Sequence, residues 1–118
     1  MPQDICDRTF KFAVKVVRLC NGLSKTGVSG RVLGNQLLRS ATSIGANMEE
    51  AQASPSRPDF NNKVSISCKE ARETLYWLRL IKETDAESGS SSAIDGLIDE
   101  SSQIVAILTA ILKSSKKQ

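Results

Sequence analysis

The sequence predicts an all-α fold, an antiparallel up-down-up-down four-helix bundle. Three observations carry that expectation. Four long stretches place apolar residues at steps of three and four, the period of a helix with one buried face. Short polar or proline-broken segments separate them, and short connections make neighbouring helices antiparallel. Only five aromatic residues occur among 118, so the core has to come mainly from Leu, Ile, Val and Ala, which suits helix packed on helix. No strand alternation and no internal repeat compete with this reading. At this length one domain, residues 1–118, is expected to enclose a single core.

The first helix is expected over about residues 4–22. Asp4 is placed to cap it, with Asp7 three residues on in the manner of a capping box. Ile5, Phe12, Val16, Leu19 and Leu23 trace one apolar face, which Ala13, Val17 and Cys20 widen. Arg8, Lys11, Lys15 and Arg18 run along another face. Asn21-Gly22 suits a helix C-terminus.

The second helix is expected over about 29–53, after the polar connection 24–29 and with Ser29 as its cap. Leu33, Leu37, Ala41, Ile44, Met48 and Ala51 form an apolar stripe. Gln36, Ser40, Ser43, Asn47 and Glu50 form a second, mostly uncharged one. Hydroxyls and amides in a row suit contact with an adjoining helix or subunit better than with water. Gly45 lies between the stripes, where Gly costs about 1 kcal/mol relative to Ala; close approach of another helix explains it.

Ser54-Pro55-Ser56-Arg57-Pro58 then breaks the chain. The third helix is expected over about 58–84, with Pro58 tolerated in its first turn. Phe60, Val64, Cys68, Ala71, Leu75, Leu78 and Ile81 face the core, flanked by Ser67 and Thr74. Glu70, Glu73 and Trp77 make a second row, and Lys69, Arg72, Arg79 and Lys82 add positive charge. A Ser/Gly/acid linker over 85–92 leads to the fourth helix, expected over about 92–114, where Ser92 and Asp95 resemble a capping box. Its broad apolar face, from Ile94 to Leu112, suits packing inside the bundle and against another subunit. The end of the chain reads as a frayed polar tail.

Composition narrows the chemistry. The chain has no His, which removes the commonest general base and metal ligand. Cys6, Cys20 and Cys68 are odd in number, without close pairing, and sit at apolar helical positions, so they read as buried free thiols. Gly27, Gly30 and Gly34 match neither a dinucleotide loop nor a P-loop. Glu70-x-x-Glu73 without His is a poor carboxylate metal site. Ser40 and Ser43 lack a base. No catalytic residue, cofactor or metal ligand is predicted, and the expected protein is not an enzyme. No apolar run approaches the ~18 residues of a membrane span, and the N-terminus lacks a signal-peptide layout; the expected location is cytoplasmic.

Net charge is +3, and the excess lies before residue 85, where 13 Lys/Arg face 8 Asp/Glu. The first-helix stripe Arg8, Lys11, Lys15 and Arg18, with Lys69, Arg72 and Arg79 on the third helix, forms the expected nucleic-acid-binding set. Such cations neutralise phosphates without reading sequence. A charged row is also the ordinary solvated face of an amphipathic helix. Aromatic stacking platforms are absent from the pattern, so binding is expected to be electrostatic. Gln36, Arg39, Ser40, Ser43, Asn47, Glu50, Glu70, Glu73, Tyr76 and Trp77 form the expected helix or subunit interface. Tyr76-Trp77 serve there either as an anchor or as a cover on the core.

The run Gln36-Leu-Leu-Arg-Ser-Ala-Thr-Ser-Ile-Gly-Ala-Asn-Met-Glu-Glu-Ala, with Asp59-Phe60, Ser65-Ile66-Ser67 and Lys69 to Leu78, resembles the four-helix bundle family of 23S rRNA intervening-sequence proteins. The resemblance spans most of residues 10–112. Its core is Gln-Leu-x-Arg-Ser-x-x-Ser-Ile-x-x-Asn-x-x-Glu, matched by Gln36, Leu37, Arg39, Ser40, Ser43, Ile44, Asn47 and Glu50. One departure is Glu50-Ala51, where many members have Glu-Gly. The resemblance implies a bundle assembled into a ring, a pentamer, with no enzymatic residues. Related proteins include the accessory variability determinant of diversity-generating retroelements, which is basic, binds nucleic acid and associates with a reverse transcriptase. The expectation is a non-enzymatic homo-oligomer that binds RNA or DNA through basic helix faces. The alternative is a scaffold ring docking a partner protein such as a reverse transcriptase.

Overall fold

The computed structural model describes residues 2–23, 25, 27–84 and 91–117; the side chains of residues 2–4 and 91 also lie outside that description. Four helices follow in order: α1 (Pro2–Leu23), α2 (Val28–Gln52), α3 (Arg57–Glu83) and α4 (Ser91–Lys116). Each packs on its neighbours in the chain, and α4 returns to α1. Among the described residues no Cα of α1 comes within 8 Å of one in α3, nor of α2 within 8 Å of one in α4, so these pairs are the diagonals of the bundle. Cross-helix contacts give the antiparallel register. Cys6 and Cys20 of α1 meet the carbonyls of Met48 and Gly34. Ser40 and Ile44 of α2 meet Thr74 and Ser67 of α3. Ala71 and Lys82 of α3 meet Ser101 and Asp95 of α4. The α2–α3 seam is the most extensive and the α1–α4 seam the least.

The core is aliphatic, as the shortage of aromatics dictates. Phe12 and Val16 of α1, Leu37 and Ile44 of α2, Leu78 and Ile81 of α3, and Ile104 and Leu108 of α4 are all shut from water. Leu33, Phe60 and Leu75 are only half-buried. All three cysteines are buried free thiols. Gly45 lies where α1 crosses α2: a Cβ there would stand 3.4 Å from Thr9 Oγ1 and 3.5 Å from the Thr9 carbonyl oxygen.

The helix starts depart from expectation in three places. α1 is already helical at Pro2, which puts Asp4 inside it rather than at its cap; the Asp4 side chain itself lies outside the described residues. α2 is entered through Gly27 at φ 108°, with no side-chain cap, so Ser29 falls within the first turn. That backbone angle is one only glycine adopts without strain. Ser92 likewise lies inside α4, and most of the 85–92 linker lies outside the described residues. α3 begins one residue before the expected start and has a true cap at Ser56. Ser56 Oγ accepts from the Asp59 backbone N–H at 3.3 Å and donates to the Asp59 carboxylate at 2.7 Å, with Pro58 in the first turn.

Candidate nucleic-acid interface

The four cations of the α1 stripe divide into two kinds. The Arg8 guanidinium grips Glu100 of α4 with two hydrogen bonds, from Nε at 2.9 Å and Nη2 at 2.7 Å, and Nη2 also donates to Gln103 Oε1 at 3.0 Å. The hydrogen bond to Glu100 holds Arg8 above its ordinary pKa. Such a fork is a clasp between α1 and α4, and it sets Arg8 apart from the other three cations of the stripe. Lys11, Lys15 and Arg18 are exposed and have no polar partner among the described residues. Lys15 and Arg18 border a groove of about 510 Å³ between α1 and α4, floored by Leu19 and Leu97.

A second basic row lies on α3. Lys69, Arg72 and Arg79 are exposed and likewise unpartnered among the described residues, and Tyr76 stands between them, 57% exposed. Tyr76 meets Trp77 edge-on, with ring centroids 5.1 Å apart at 72°. α1 and α3 are diagonal, yet both rows border α4: Lys15 and Arg18 line its groove with α1, and Arg79 lines its groove with α3.

The polar stripe of α2 works within the chain. Arg39 Nη1 donates to Glu70 Oε1 at 3.2 Å, Nη2 pairs with Glu73, and Nε donates to Gln36 Oε1 at 3.3 Å. Trp77 Nε1 donates to the same Glu73 carboxylate at 3.2 Å. Ser40 is fully buried, with its Oγ 2.8 Å from Thr74 Oγ1. Asn47 donates back to Ser43, and Glu50 pairs with Lys63 at 2.6 Å. Where the sequence left adjoining helix and subunit open, Gln36, Arg39, Ser40, Glu50, Glu70, Glu73 and Trp77 lie in the α2–α3 seam of one chain.

Several participants carried too little signal to be singled out. Glu100, Gln103 and Lys63 look like ordinary surface residues until the fold brings α4 to α1 and α3 to α2. Ser67 and Ser101, each donating to a backbone carbonyl across a seam, announced themselves only as hydroxyls at apolar positions. Five carboxylates (Glu50, Glu70, Glu73, Asp95 and Glu100) pair with four cations at the seams. The outer faces are left predominantly cationic.

Among the described residues no group of three His, Cys, Asp or Glu could hold a metal ion. Burial pushes the Cys20 thiol up to about 11, and burial with the nearby Glu49 and Asp7 charges raises Cys6. Neither has the depressed pKa of a reactive cysteine. Among the described residues no helix is long and apolar enough to cross a membrane.

Residues 2–110 match the model of a family described as 23S rRNA-intervening sequence protein. The fold is similar to a crystal structure, at 1.70 Å, of a protein with unknown function from the S23 ribosomal protein family of Bacteroides thetaiotaomicron VPI-5482. That protein is 38% identical, with a TM-score of 0.83, and the match covers 92% of this chain and 98% of that one. No curated protein matches the chain.

Proposed function

The chain belongs to the family of 23S rRNA-intervening sequence proteins, and from that premise we propose a non-enzymatic, homo-oligomeric bundle that binds RNA or DNA through its basic outer faces. The observation that supports it most is the division of charge. Five carboxylates are drawn into the helix seams, while Lys11, Lys15, Arg18, Lys69, Arg72 and Arg79 face solvent without partners among the described residues. A polyanion recovers from such cations the counterion-release free energy that an internal carboxylate would forfeit. Phe10 and Val17 on the outside of α1, at 65% and 39% exposure, support association of copies through that helix.

Polarisation titration of labelled RNA and DNA at several salt concentrations tests the binding. The expected plot of log affinity against log salt is steep and negative. Alanine at Lys11, Lys15 and Arg18 together flattens the slope by roughly 0.7–0.9 for each phosphate no longer neutralised. Arg8→Ala instead lowers stability and leaves the slope nearly unchanged. Absence of binding even at low salt would sink the proposal. Light scattering tests the assembly: a mass at several multiples of 12.8 kDa is expected, and a monomer removes the oligomeric half.

A further inference from the structure

The basic row on α3 differs from the one on α1 in having an exposed ring in its midst. We infer that Tyr76 and the groove beside it receive an unpaired base, so that the nucleic acid bound along α3 is single-stranded. This rests on the nucleic-acid reading above and names its substrate class. It departs from the sequence expectation of purely electrostatic binding.

Lys69, Arg72, Tyr76 and Arg79 follow one another at steps of three, four and three, which places them on one helix face. At 1.5 Å per residue the row is about 15 Å long, roughly four nucleotides at the phosphate spacing of a stacked strand. The ring is 57% exposed yet braced. Trp77 packs edge-on against it, Trp77 Nε1 is held by Glu73, and Glu73 is held by Arg39. A braced ring loses little further freedom when a base stacks on it.

Beside Tyr76 lies a groove of about 470 Å³ between α3 and α4, with Leu80 and Ile98 supplying apolar surface and Arg79 and Lys82 alongside. Lys82 is already committed to Asp95 at 2.7 Å, which leaves Arg79 as the cation for a phosphate at that end. A duplex keeps its bases stacked on one another and offers this ring only sugar and phosphate. An unpaired base offers a π-face. An exposed Tyr among Arg residues also suits a protein partner. Three cations along one face, without partners among the described residues, complement a continuous polyanion better.

A short labelled oligouridylate and an RNA duplex of equal length, titrated at low salt, are the probes. The single strand is expected to bind and to quench Trp77, the sole tryptophan. Tyr76→Ala weakens single-strand binding roughly 5- to 150-fold, the range for removal of one base–aromatic stack. Tyr76→Phe keeps the ring and the affinity, and duplex binding is indifferent to both changes. If Tyr76→Ala leaves single-strand affinity intact while binding persists, the inference falls and the broader reading stands. If the unaltered protein binds neither probe, the broader reading falls and carries this one with it. Light scattering on Tyr76→Ala separates stacking from assembly: an unchanged mass is expected, and a reduced mass accompanying the loss of binding overturns the inference. Tyr76 is exposed, so both variants are expected to keep their helical circular dichroism.

Discussion

Gly27 and Gly45 make opposite demands on the chain. Gly27 enters α2 at φ 108°, where a Cβ meets the backbone; Gly27→Ala is expected to destabilise by about 1–2 kcal/mol. Gly45 is helical, and a methyl there would sit in ordinary contact with Thr9. Gly45→Ala should therefore gain up to about 1 kcal/mol from helix propensity. Urea unfolding of the two variants should shift the midpoint in opposite directions. Cys20, held at about 11 against an ordinary 9.0 by burial, keeps its proton in the folded state after the unfolded chain has lost it. Its contribution is constant below pH 9, and stability falls as pH climbs from 9 to 11. The same burial predicts slow alkylation of native Cys20 at pH 8 and a large acceleration in denaturant, which mass spectrometry reads directly. Arg8 marks the limit of sequence reasoning at this scale. Its spacing put it in a row with Lys11, Lys15 and Arg18, but its partner Glu100 lies on α4, and nothing local announces that meeting.

At the scale of the element, periodicity is a strong signal because burial itself is periodic. Leu37, Ala41, Ile44, Met48 and Ala51 were legible as a core face, and all are buried. Gly45 was legible as a close crossing for the same reason. What periodicity does not encode is the partner. The polar stripe of α2 was read as meeting an adjoining helix or subunit, and only the register of α3 shows Ser40 against Thr74 and Arg39 against Glu70 and Glu73. Caps were less legible still, because Gly27 replaces side-chain capping with backbone geometry. The Arg39 fan predicts its own test. Glu70 is nearly buried, and Arg39→Ala strands it without its cation. Arg39 is half-exposed, so solvent discounts the effect to roughly 1–2 kcal/mol. A double-mutant cycle with Glu73→Gln should return a positive coupling energy, since both changes act on one network.

Over the whole molecule, the seams set an order of robustness. The α2–α3 seam is the broadest and the α1–α4 seam the slightest, so opening should begin where α4 leaves α1. Hydrogen exchange is expected to be slowest for amides in the middles of α2 and α3, and faster in the N-terminal half of α4 and the C-terminal half of α1. Equal protection across all four helices would contradict that order. The fold class was visible in the sequence because four amphipathic stretches with short connections leave few other solutions. The relation between the two basic rows was not visible, since it depends on which helices end up diagonal. That relation has a further consequence. The bundle is a rod 47 Å long and only 20 by 18 Å across, with α4 set between the two cationic rows. On the proposed nucleic-acid reading, one strand laid across α4 engages both rows at once, and the row it meets first raises its effective concentration at the other. Alanine replacement of either row alone should then cost most of the affinity, whereas rows acting independently would each retain binding.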